Sequence, residues 1–183
     1  MIDTIKLLLE QGLALVREGH AQRQRFYKEI VEPVHAHYLR MAERHDATFA
    51  YVNLQLSRPN CSLRTIFEEV NERLASEAKD WHIIDQVARK CDLDPRRDVE
   101  RAYLYYVSSL AECLEVVHAG GDAHSIVFYR GLLNTLEIEL WTSDTASSIA
   151  RVREQVKDLQ ADYTKYCAKV ETGLLMLKRA CTV

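Results

Sequence analysis

Apolar residues recur along the first fifty positions at helical intervals: Ile2, Ile5, Leu9, Leu13 and Val16, then Tyr27, Ile30, Val34, Tyr38 and Met41, and finally Phe49 and Val52. At about 100° per residue they fall on one side of a single helix, with His20, Arg23 and His45 filling gaps in the stripe. A straight helix over residues 2 to 52 would be about 75 Å long, whereas a compact chain of this size has a radius of gyration of about 16 Å. Either the helix bends or the molecule is elongated. Pro33 is the expected place for a kink or a restart, because it lacks an amide hydrogen and its ring presses on the carbonyl four residues earlier. Gly12 and Gly19 lie on or beside the stripe, as weak points or as places where a partner helix comes close.

Further on, Ser57-Arg58-Pro59-Asn60 reads as a break, with Asn60 or Ser62 placed to cap the next helix. That second helix carries Leu63, Ile66, Phe67, Val70, Leu74, Ala78 and Trp81, continuing through Ile84 and Val87 to about Cys91. Asp94-Pro95 starts a third helix with the series Val99, Tyr103, Tyr106, Leu110, Cys113 and Val117, which Gly120-Gly121 ends. A fourth region carries Ile126, Tyr129, Leu132, Leu133, Leu136 and Leu140, and Trp141 to Asp144 is the place of a possible interruption. Beyond it, Ile149, Val152, Val156, Leu159, Tyr163, Tyr166, Val170, Gly173 and Leu177 form a coiled-coil-like seam. The expected fold is all-α: an antiparallel bundle of four to five helices with long first and last helices, in one domain over residues 1–183. Residues 1–25 and 150–183 are expected to project from it as a two-helix stalk, and short connections to make successive helices antiparallel.

Composition agrees with helices, since 48 % of the 183 residues are apolar and only six Gly and three Pro are present. The net charge of −3 gives no basic excess that would point to nucleic acid. No apolar run reaches the roughly 20 residues that span a bilayer, because Asp3, Lys6 and Glu10 interrupt the N-terminal stretch. That stretch does not read as a signal peptide either. Five widely spaced cysteines without Cys-x-x-Cys read as reduced thiols of a cytoplasmic protein.

Three patterns carry candidate chemistry. Glu32-x-x-His35 and Glu115-x-x-His118 repeat the Glu-x-x-His element of di-metal carboxylate bundles. Yet Glu32 lies about 140° from the centre of its apolar stripe and Glu115 about 160° from its seam, so both carboxylates are expected outside the core. Arg40 and His45 stand at the Arg-x4-His spacing used by helical HEPN ribonucleases, with Met41 where a polar residue is usual. The spacing is too common to carry a resemblance. Arg17, Arg23, Arg25 and Lys28, interleaved with Phe26 and Tyr27, form the most basic stretch, which Glu18 and Glu29 dilute.

None of these patterns outweighs the helical periodicity. The sequence therefore leads to the expectation of a non-enzymatic interaction or assembly module with no cofactor. It would present an apolar helix face to a protein partner or to its own copy as a homo-oligomer. Ile5, Leu9, Leu13, Val16, Leu159, Tyr163, Val170 and Leu177 are the candidate interface residues. RNA binding or cleavage and di-metal chemistry are the alternatives.

Overall fold

The computed structural model describes residues 19–75, 97–113, 116–119, 123–140 and 145–182. The fold is all-α, and its first described feature is a helical run without interruption from residue 20 to residue 56. It consists of α1 (His20–Phe26), a π-helical turn (Tyr27–Val31) and α2 (Glu32–Leu56). Gly19 starts it with φ +132°, a conformation that side chains disfavour. The helix expected to begin at Ile2 therefore has a boundary here. A Cβ at Gly19 would meet nothing within 4 Å, so its backbone conformation and not a close approach calls for glycine.

At Pro33 the run neither stops nor restarts. The amide of Glu32 bonds to the carbonyl of Tyr27, five residues back, and the next residue has no amide to offer. In strict α register the Pro33 ring would press on the Glu29 carbonyl; the wider turn gives it room.

Helix α2 ends at Leu56, whose carbonyl accepts a 2.7 Å bond from Arg153 Nη2. After the expected break, Ser62 caps α3 (residues 63–75) by accepting the amide of Thr65 at 3.3 Å. Leu63, Ile66 and Val70 are buried, and Arg73 lies 4.7 Å from the centre of the Tyr51 ring. The positions of Trp81, Ile84, Val87 and Pro95 lie outside the described residues.

Helix α4 (Asp98–Cys113) is shorter than its apolar series suggests. That series predicts helix as far as Val117. Instead Val116–Ala119 (β1) pairs with Ala123–Ile126 (β2) as a small antiparallel hairpin, with Ala119 opposite Ala123. β-branched Val116 and Val117 before Gly120-Gly121 suit a strand entering a tight reversal. The chain continues with α5 (Val127–Leu140) and α6 (Thr145–Thr182).

Helices α1, α2, α4 and α5 are antiparallel to α6. Along α1 and α2, Arg23 and Tyr27 lie beside Cys181, His35 beside Glu171, Phe49 beside Tyr163, and Asn53 beside Gln160. Along α4, Tyr106 faces Gly173, Glu112 binds Lys169 at 2.9 Å, and Cys113 faces Cys167. Along α5, Gly131 faces Leu159, and Glu139 holds Arg151 with two bonds of 2.8 and 2.7 Å. Hence α4 and α5 run in the same direction, one after the other along α6. This corrects the expectation that successive helices in this part of the chain would be antiparallel; the hairpin between them lets the chain resume its course.

The core lies where α1, α2 and α4 meet α6. Phe26 packs edge-on against Tyr103 at 5.4 Å between ring centres, and Tyr38, Met41, Tyr106, Leu110 and Val170 are almost fully enclosed. Among the described residues, no helix is long and apolar enough to cross a membrane.

Candidate functional site

On α6 the residues read as an interface stripe are used within the chain. Tyr163, Val170 and Leu177 are buried, and Leu159 is partly buried over Gly131. The last third of α6 is thus covered by α4 and α1. Ile5, Leu9, Leu13 and Val16, the other strand of the expected stalk, lie outside the described residues.

Arg40 and His45 are not brought together. Five helical positions separate them by about 140° around the axis. Arg40 is exposed and reaches His37 Nδ1 at 3.4 Å, whereas His45 is buried with its ring against Tyr163, 5.3 Å between centres. The basic stretch is also dispersed: Arg25 binds Glu29 at 2.9 Å, Arg23 turns in toward Cys181, and Lys28 is exposed. Arg17 lies outside the described residues.

The Glu-x-x-His pairs do not converge either. Glu32 is exposed, as its angle required, and Glu115 is outside the described residues. His118 belongs to β1 and not to a helix. Among the described residues no three His, Cys, Asp or Glu side chains form a metal-binding group. His35 serves a different purpose: its Nδ1 lies 3.3 Å from the Tyr106 hydroxyl and its Nε2 3.4 Å from Glu171. Burial lowers its pKa, and the Glu171 carboxylate opposes that shift.

Two features remain, one outside and one inside. The outer face of α2 carries Ala36, Leu39, Glu43, Ala47, Ala50 and Leu54, within about 80° of one another around the helix. Leu39 and Leu54 are 44 % and 55 % exposed, well outside the range of core leucines.

The inner feature is a polar cluster in the core between α2, α4 and α6. The Cys113 and Cys167 sulfurs lie 3.8 Å apart, with the side chains of Tyr38 and Tyr163 beside Cys167. The hydrogen bond from Cys113 chiefly, with the two tyrosines beside it, draws the Cys167 thiol down to about 6, against burial and the charge of Asp46. Cys113, which gives its proton to that bond and is fully buried, is pushed well up. Burial and the neighbouring sulfurs push up Tyr38 and Tyr163 as well. The thiolate thus belongs to Cys167, the partly exposed cysteine of the pair. The sequence hid this cluster because 54 residues separate the two cysteines. The one signal was the place of Cys113 on the apolar seam of its helix.

Comparison of the chain with protein-family models, with curated proteins and with solved structures gives no match.

Proposed function

We propose that the protein is a non-enzymatic helical assembly module that presents the outer face of α2 to another helix. The observation that supports this reading is the strip itself. Three alanines and two leucines line about 27 Å of helix, broken only by Glu43, while the inner face of the same helix is used by the chain's own core. Small residues let two helix axes approach closely, and the leucines at either end supply the apolar area.

A second copy of the chain fits the spacing best. Leu39 and Leu54 are placed symmetrically about the midpoint beside Ala47, so a copy lying antiparallel across a two-fold axis sets each Leu39 against the other's Leu54. Ala47 then lies at the axis, where there is least room. In sedimentation equilibrium from micromolar to 0.1 mM, the wild type is expected to be a dimer. Ala47→Glu, with unchanged helicity by circular dichroism, is expected to be a monomer. A wild type that stays monomeric over that range would overturn self-association. If such a monomer also leaves its native cell without a stoichiometric protein bound, the assembly reading goes too.

A further inference from the structure

We propose that Cys113 and Cys167 are a redox modification site, a dithiol that a small hydroperoxide converts into a disulfide joining α4 to α6. The inference concerns the interior of the molecule and does not depend on the outer face of α2. It begins with placement. The two sulfurs are 3.8 Å apart across a helix pair whose register is fixed beside them. Within two residues of them on the surface, Glu112 and Lys169 are joined at 2.9 Å. Two turns along, the backbones approach so closely that a Cβ on Gly173 would sit 2.8 Å from Tyr106 Cα. Forming a disulfide requires the sulfurs to approach by a further roughly 2 Å. Side-chain rotation at two cysteines on such a close-packed pair accounts for a displacement of that size.

The two cysteines differ as the chemistry requires. Cys167 is partly exposed, and the hydrogen bond from Cys113, with Tyr38 and Tyr163 beside it, holds its thiol low. Its thiolate is therefore both stabilised and reachable. Cys113 is enclosed, so it meets an oxidised sulfur on Cys167 before it meets an oxidant. Among the other described cysteines, burial raises the Cys61 thiol, and Cys181 is pushed up to about 11.

The reaction has two steps. Cys167 thiolate attacks one oxygen of hydrogen peroxide; an S–O bond forms, the O–O bond breaks, and the leaving hydroxide takes up a proton to depart as water. Sulfur is oxidised to the sulfenic acid and the peroxide is reduced. Cys113 then gives up its proton and attacks the Cys167 sulfur; the S–S bond forms, the S–O bond breaks, and the hydroxide leaves with that proton as a second water. Two thiols and one peroxide become one disulfide and two waters. A thiol reductant reverses the change by exchange.

The test uses the full chain. Reduced protein, freed of reductant, receives one equivalent of hydrogen peroxide under nitrogen, is blocked with iodoacetamide, and is digested without reduction for mass spectrometry. The Cys113 and Cys167 peptides are expected to appear joined within one chain, lighter than the separate peptides by two hydrogens, and to separate on adding dithiothreitol. In Cys113→Ser, dimedone is expected to trap a sulfenic acid at Cys167; in Cys167→Ser, Cys113 is expected to stay reduced at the same dose. The rate of wild-type oxidation is expected to fall as the pH is lowered through about 6. Recovery of both cysteines as alkylated thiols from the treated wild type overturns the proposal, as does oxidation that goes first to Cys61 or Cys181 or links separate chains. The wild-type peptide map decides the matter even where a serine variant fails to fold.

Discussion

His35 shows how one side chain is shaped by three neighbours. Its ring lies between Tyr38 and Tyr106, and Glu171 lies at its far nitrogen. Burial holds its folded-state pKa below the ordinary 6.5 despite that carboxylate. Below pH 6.5 the unfolded chain therefore binds this proton before the folded one does. Stability supplied by neutral His35 is complete above pH 6.5 and declines as the pH falls from 6.5 toward the folded value. The melting temperature is expected to drop between pH 7 and pH 5, and His35→Phe to flatten that drop; an equally steep profile in the variant would remove His35 as its source. The burial of His35 and His45 could be approached from the sequence, because His45 lies on the apolar stripe and His35 on its flank. The partners could not, since Tyr106 and Glu171 come from distant parts of the chain. Periodicity gives the side of a helix on which a residue stands, and nothing about what the facing helix brings to it.

For individual helices, legibility tracks the strength of local signals. Helix α6 and the cap at Ser62 are readable because heptad spacing and capping chemistry act within a few residues. The π-turn is not, because it resolves a conflict between Pro33 and an otherwise unbroken apolar stripe, and the stripe alone does not say how. The end of α4 at Cys113 escapes the sequence because Val117 continues the helical period, while the pairing that competes with it involves β2 beyond the glycines. Gly173 meets the backbone of α4 at Tyr106. Since Tyr106 Cα cannot yield as a flexible side chain would, Gly173→Ala forces α4 and α6 apart. It is expected to cost about 2 kcal/mol and to lower the melting temperature by roughly 5 °C. Thermal denaturation followed by circular dichroism checks this; a shift within a degree of the wild type would mean that the two helices are not held so closely.

In the molecule as a whole, α6 is the common partner. It meets α4 near its end and α5 near its start, and it lies along α1 and α2 throughout. Damage at one point on it should therefore spread. Val170→Asp sets an unpaired charge in the core, at an expected cost of about 4 kcal/mol. The whole chain is then expected to melt earlier in one transition, with the calorimetric and van't Hoff enthalpies equal. Two separated transitions would show that the α4 and α5 halves fold as independent units. The order of the helices along the chain adds a constraint of another kind. Synthesis runs from the N-terminus, and α6 comes after every helix that it covers. At ribosomal speed, roughly ten seconds pass between completion of α2 and completion of α6. During that time the inner faces of α2, α4 and α5 lack the helix that encloses them. A nascent chain of this design leaves its future core uncovered until α6 has been made.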